Sequence, residues 1–213
     1  MSSPRPANDP SVMGVLLLIA SYVLGSVPTG LVLVRWLRGV DVRQYGSGAV
    51  NAANVYRVAG PYVGAAVLLA DLLKGALPVL LAQRLELRPE WAVGAGIAAL
   101  VGHNWSVFLR LQGGRGTVTT LGVLLALSPG AALLAAAVWL ATLAVTRLMS
   151  LASVLAILSI PFAMWALRAP GASVAFGVVV AFLGLHRHRA DLRALLRGSE
   201  GTATGRAWTD PRR

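Results

Sequence analysis

The chain has 213 residues, of which 56% are hydrophobic and only 13% charged, and its mean hydropathy is +0.70. Soluble domains carry roughly one-quarter charged residues and disorder requires low hydrophobicity, so the composition points away from both. A net charge of +11 would suggest nucleic acid in a soluble protein, but in a membrane protein it first bears on topology.

A membrane-crossing helix needs about 20 mostly apolar residues. In chain order, the sequence predicts apolar segments at Val12–Leu37, Tyr62–Ala82, Trp91–Leu109, Thr117–Leu127, Ala131–Val145, Leu151–Leu167 and Ala172–Leu185. The fourth is only eleven residues long before Ser128-Pro129-Gly130 ends it. Positive charge decides whether it crosses. With all seven segments crossing and the N-terminus outside, 14 arginines fall on the cytoplasmic side and 4 (Arg5, Arg84, Arg88 and Arg168) outside. If Thr117–Leu127 does not cross, the split becomes 7 inside and 11 outside. The positive-inside rule favours the first arrangement. The expected fold class is therefore an all-α integral membrane protein with seven transmembrane helices, N-terminus outside and C-terminus cytoplasmic. Residues 1–200 are expected to form one domain and 201–213 a mobile cytoplasmic tail.

The same arithmetic answers the nucleic-acid question. The excess arginines sit in short loops beside membrane helices, where they set orientation and attract anionic lipid. No zinc-finger, RRM or helix-turn-helix signature is present, so no nucleic-acid partner is expected. Absence of cysteine removes disulfides, thiol nucleophiles and Cys-ligated zinc. Three histidines, His103, His186 and His188, make a His-rich metal site a poor expectation.

Three unusual polar stretches share the cytoplasmic face in this topology. The first begins Gly46-Ser47-Gly48 and continues through Asn51, Asn54 and Arg57. Glycines on either side of Ser47 permit a backbone in which amides and a hydroxyl converge on an anion, and Arg57 offers a bidentate charge. Alone, this pattern also suits a plain interhelical turn. The second runs from Gly102-His103-Asn104-Trp105 to Gly113-Gly114-Arg115-Gly116. A glycine-rich loop opening a helix is expected to free its amides for phosphate, with Arg115 adding charge. The third is His186-Arg187-His188-Arg189-Ala190-Asp191-Leu192-Arg193. Its two histidines, at i and i+2, do not face each other on a helix, so a phosphate-facing His188 among arginines is more natural than a chelate. Within the second span, Asp71 and Lys74 are three apart and fit a structural ion pair.

In their order, GSG–x–N–V–x–R, GH–N–W–x–V–F–L with GGRG, and RHR–x–D–L–R–LL–G–x–E, these motifs resemble the bacterial acyl-phosphate:glycerol-3-phosphate acyltransferases from about Tyr22 to Glu200. The resemblance implies a seven-helix enzyme of the bacterial cell (inner) membrane, with its active site facing the cytoplasm. It would move an acyl chain from acyl-phosphate to the 1-hydroxyl of glycerol 3-phosphate, giving lysophosphatidate for phospholipid synthesis. No metal or organic cofactor is expected. Expected partners are the two substrates, membrane lipid and the enzyme that makes acyl-phosphate. Carried over position by position, the family's catalytic groups fall on Ser47, Arg57, Arg115 and His188. Substrate-binding groups fall on Gly46, Gly48, Asn54, Gly113, Gly114, Ser150 and Asp191. The alternatives are a diverged member with another acceptor or donor, and a non-catalytic membrane scaffold.

The chain also departs from the pattern. Ala49, Asn51 and Ala53 stand where the family usually has Asn, Gly and Thr, and Gln112 and Arg115 where it has lysines. Asp191 replaces an asparagine. A carboxylate near a phosphate is unfavourable unless a cation pairs with it, and Arg187 and Arg193 are the expected partners.

Overall fold

The computed structural model describes residues 9–197, which are helical with short connections and contain no strand. Glu200 and the expected tail over 201–213 lie outside the described residues. Among the described residues nine α-helices follow in order: α1 Pro10–Ser26, α2 Thr29–Arg38, α3 Ala52–Ala59, α4 Pro61–Arg84, α5 Pro89–Asn104, α6 Thr117–Leu127, α7 Pro129–Thr146, α8 Met149–Ala166 and α9 Gly171–Leu196. Five of them are long and apolar enough to cross a membrane, or six if the bent pair α1–α2 forms one span.

The expected single run Val12–Leu37 is divided. Pro28 has no N–H to continue the helix and disfavours the α conformation at the residue before it, so Val27 is extended (φ −58°, ψ 117°). The chain bends by 41° there. The break leaves the Val27 carbonyl without a helical donor, and the buried Lys74 ammonium donates to it at 3.2 Å, which is how non-helical backbone is tolerated at membrane depth. Lys74 also sits 2.8 Å from Asp71, whose carboxylate accepts a 2.6 Å hydrogen bond from the Thr29 hydroxyl. The ion pair expected within α4 is therefore present, and it fastens α4 to both sides of the α1–α2 break.

Small residues let the helices touch backbone to backbone, as interfaces between membrane helices favour. A Cβ on Gly25 would lie 2.1 Å from the Ala99 carbonyl oxygen, and one on Gly102 would lie 2.2 Å from that of Tyr22, closing α1 on α5. Gly75 and Gly122 do the same for α4 and α6. The main core gathers Leu17, Val79, Leu100, Leu124, Met164 and Phe176 from six helices. A smaller apolar cluster of Val34, Val42, Val55 and Val67 joins α2, α3 and the first turns of α4.

Helix α6 explains the short fourth segment. Its first turn packs at Gly75 of α4, fourteen residues after α4 begins at Pro61; that is about 20 Å of helix. From there α6 runs alongside the rest of α4 until the Ala126 carbonyl accepts from Gln83, near the α4 C-terminus. Gly130 then packs on Leu167, at the C-terminal end of α8. The GGRG loop before α6 is tucked into the bundle, with Gly114 and Gly116 buried, so α6 starts well along α4.

Candidate functional site

The Gly46–Gly48 turn is built around one side chain. Asn54 is fully buried; its Oδ1 accepts from the Ser47 amide at 2.9 Å, and its Nδ2 faces the carbonyls of Ala49, Tyr45 and Val42 at 2.9, 3.1 and 3.3 Å. Gly46 has φ +58°, in the left-handed region, and a Cβ there would lie 2.2 Å from Asn54 Oδ1. Gly48 donates to the Tyr45 carbonyl. The amides of Ser47 and Gly48 are thus consumed inside the turn, which leaves the exposed Ser47 side chain as its outward group. Asn51 caps α3 by accepting from the Asn54 amide at 3.0 Å. Asn54→Asp is expected to lower stability by about 2 kcal/mol, since it removes both N–H donors from three carbonyls; thermal unfolding in detergent measures it.

The second loop also corrects an expectation. Gly113 N–H donates to the Asn104 carbonyl and Gly114 N–H to the His103 carbonyl, so these amides are not free for phosphate. The glycines are required by close approach: a Cβ on Gly113 would meet the His103 carbonyl oxygen at 2.0 Å, and one on Gly114 would meet His103 Nε2 at 2.1 Å. Their carbonyls face the other way, onto Arg187. Its Nη2 donates to Gly113 and Gly114 at 2.8 and 2.7 Å, and its Nε to Gly114 at 3.0 Å. The guanidinium also lies 5.4 Å from the Trp105 ring centroid, a cation–π distance.

Consequently the partner of Asp191 is neither Arg187 nor Arg193. Arg187 is committed to the loop, and Asp191 instead lies 2.5 Å from Arg115 Nη2 and 3.1 Å from Nδ1 of His188. An ionised carboxylate can only accept, so Nδ1 carries the proton in this contact. His188 is buried, and its Nε2 has no partner among the described residues. His186 is exposed and contacts Arg189, in keeping with two histidines that point apart.

These elements enclose a cleft of about 260 Å³ between the Ala49–Asn51 segment, the Gly113–Arg115 loop and the cytoplasm-predicted part of α9. Arg115, Arg187 and Arg189 line it, with Asp191 as its single carboxylate. Of the residues singled out from sequence, Gly113, Gly114, Arg115 and Asp191 line the cleft directly. His188 stands behind Asp191, and the Gly46–Gly48 turn adjoins the cleft through Ala49. Arg57 is half-buried on α3 and does not line it. Ser150 is buried at the start of α8. Because Ile157 packs on Gly184 in the α8–α9 pair, an antiparallel register sets Ser150 level with Asp191.

Sequence reasoning missed two residues. Arg187 clamps both glycine carbonyls, and its signal was the basic character of the motif, which does not reveal which arginine turns inward. Asn51, named in the first polar stretch and as a departure but given no role, both caps α3 and lines the cleft.

A sequence model described as "Glycerol-3-phosphate acyltransferase" matches residues 15–198. The chain belongs to the glycerol-3-phosphate acyltransferase family. Among curated members, the glycerol-3-phosphate acyltransferase of Desulforudis audaxviator is 47% identical over 192 residues, covering 89% of this chain and 96% of the relative. That of Myxococcus xanthus is 55% identical over 141 residues, covering 66% and 73%. Crystal structures of PlsY (YgiH), an integral membrane glycerol 3-phosphate acyltransferase, in its glycerol 3-phosphate and lysophosphatidic acid forms, superpose with a TM-score of 0.84 at 36% identity. The superposition covers 89% of this chain and 95% of that one. This acyltransferase family thus accounts for the fold, the membrane-spanning character and the motif order together.

Proposed function

We propose that this protein transfers an acyl chain from acyl-phosphate to the 1-hydroxyl of glycerol 3-phosphate, giving lysophosphatidate and inorganic phosphate. The observation that carries this reading is the arginine-lined cleft of about 260 Å³, recessed into a bundle of apolar helices. Such a place suits a phosphate beside a lipid chain. In the proposed reaction the glycerol oxygen attacks the acyl carbonyl carbon, the bond from that carbon to the phosphate oxygen breaks, and the hydroxyl proton passes to the departing phosphate. The donor is a mixed anhydride, already activated, so no covalent enzyme intermediate is required. The protein's work is positioning and charge neutralisation.

In this scheme Arg57, His188 and Ser150 hold glycerol phosphate, while Ser47 and the Gly113–Arg115 loop orient the reacting groups. Asn54 acts through the Gly46–Gly48 turn that it holds, and not by touching substrate. The Arg57 guanidinium, half-buried on α3, makes no hydrogen bond or ion pair among the described residues, which leaves it available. Arg57→Ala is expected to lower turnover about 100- to 1,000-fold by leaving a phosphate charge unpaired, with the thermal midpoint unchanged.

All seven segments cross the bacterial cell membrane in this reading, with the N-terminus outside and the cleft cytoplasmic, α1 and α2 together forming the first crossing. The course of α6, from the sunken loop to the ends of α4 and α8, supports the odd number, as does the arginine distribution. The enzyme that makes acyl-phosphate is the proposed protein partner. The test is direct: purified protein in detergent receives palmitoyl phosphate or palmitoyl-CoA, with and without glycerol 3-phosphate. The reading requires phosphate release and lysophosphatidate with the first donor, only when glycerol 3-phosphate is present. Turnover with the CoA ester alone would replace it with a different donor class.

A further inference from the structure

The cleft read above as a phosphate site already contains an anion. Asp191 presents one carboxylate oxygen to Arg115 Nη2 at 2.5 Å and the other to His188 Nδ1 at 3.1 Å. Two oxygens facing a guanidinium and an imidazole is also how a phosphate would meet these groups. We propose that Asp191 is an internal counter-ion that occupies the phosphate position on Arg115 in the resting protein. The phosphate of glycerol 3-phosphate, held by Arg57, His188 and Ser150 in the proposed scheme, then gains Arg115 as well by displacing the carboxylate, while Asp191 keeps hold of His188 Nδ1. Asp191 is accordingly a positioning residue. The inference deepens the proposed function and rests on reading this cleft as a phosphate site.

The two halves of the contact differ in how readily they exchange. His188 and Asp191 are three residues apart on one helix, with side chains only 2% and 14% exposed, so α9 fixes their geometry. Arg115 comes from a loop, its side chain is 40% exposed, and Nη2 is its only donor engaged by the carboxylate. With its guanidinium 40% exposed the pair is partly screened by water and correspondingly weak, whereas a phosphate dianion brings twice the charge and can take a second guanidinium donor. The displaced carboxylate opposes that dianion, so the exchange costs part of what Arg115 contributes to phosphate binding. The pair thus sets a threshold that a phosphate dianion passes and a single carboxylate does not. It also accounts for two departures from the family pattern at once: arginine at 115 and aspartate at 191 are each other's counter-charge.

Asparagine at 191 separates the two functions, because its Oδ1 still accepts from His188 while the neutral amide no longer retains Arg115. Purified full-length wild type, Asp191→Asn, Arg115→Ala and the double variant would be titrated calorimetrically with inorganic phosphate and with glycerol 3-phosphate. Asp191→Asn is expected to tighten both by about fivefold, the size of a weak exposed pair, and to lower KM for glycerol 3-phosphate while kcat stays within about threefold. In the Arg115→Ala background the gain should fall below about twofold, because there is no guanidinium to release. Equal affinities for wild type and Asp191→Asn would overturn the proposal and leave the phosphate site standing. Tightening of the same size without Arg115 would also overturn it, in favour of simple charge removal. Failure of all four proteins to bind either probe would overturn the phosphate-site reading and this inference with it. Asp191→Ser serves in place of the asparagine variant if that protein lacks a cooperative thermal transition.

Discussion

Lys74→Met is expected to be the most destabilising single change in the bundle, by about 3–5 kcal/mol, because it leaves a buried carboxylate without its cation. Asp71 and Lys74 are only 3% and 5% exposed, and their 2.8 Å contact lies beside the break between α1 and α2. Removing the ammonium leaves the buried Asp71 carboxylate uncompensated and takes one of two donors from the Val27 carbonyl, which keeps only the Thr29 N–H. Thr29 satisfies one carboxylate oxygen, but a neutral hydroxyl does not neutralise charge. A void of about 10 Å³ bounded by Ser26, Thr29, Asp71, Lys74 and His103 lies beneath the Gly113–Gly114 segment, so relaxation here would also reach the loop under the cleft. Thermal unfolding in detergent should show a large downward shift, and the double variant Asp71→Asn/Lys74→Met should recover much of it by removing the uncompensated charge. An unshifted midpoint for Lys74→Met would mean that the pair contributes nothing to holding α4 against the broken helix.

What the sequence discloses and what it conceals follow one physical line. Apolar segments are legible because length and hydropathy act locally: Thr117–Leu127 is the same helix in sequence and structure, since a glycine loop and Ser128-Pro129 bound it. Hydropathy reads the polar end of α9 poorly. The predicted segment stops at Leu185, whereas the helix continues to Leu196, because arginine and leucine are good helix formers whether or not lipid surrounds them. The break at Val27 carried a visible signal in Pro28, outvoted by the long apolar run around it. The partner of Asp191 was not legible at all. Arg187, Arg193 and Arg115 are equivalent as charges, and only the tertiary approach of the Gly113–Gly114 carbonyls to Arg187 leaves Arg115 for the carboxylate. Likewise a Gly-Gly pair looks the same whether its amides are free for an anion or its missing side chains admit a neighbouring ring. The structure selects the second.

That distinction gives the other large expected effect. Gly114→Ala should reduce kcat/KM about 100-fold, the scale of a displacement near 1 Å in a positioned site. A Cβ there would lie 2.1 Å from His103 Nε2, with two further ring atoms within 3.0 Å, and His103 is buried and cannot swing out. The loop must therefore rise, which pulls the Gly113 and Gly114 carbonyls from Arg187 and moves the adjacent Arg115 relative to Asp191. If free amides were the reason for glycine, shrinking the neighbouring ring would not help. If space is the reason, Gly114→Ala/His103→Ala should regain stability and a good part of the turnover relative to Gly114→Ala alone, a positive coupling between touching residues. Steady-state kinetics and thermal midpoints on wild type, both single variants and the pair decide between them. Additive losses would mean that the His103 ring is not what Gly114 makes room for, while recovery would identify His103 as the floor on which the cleft loop rests.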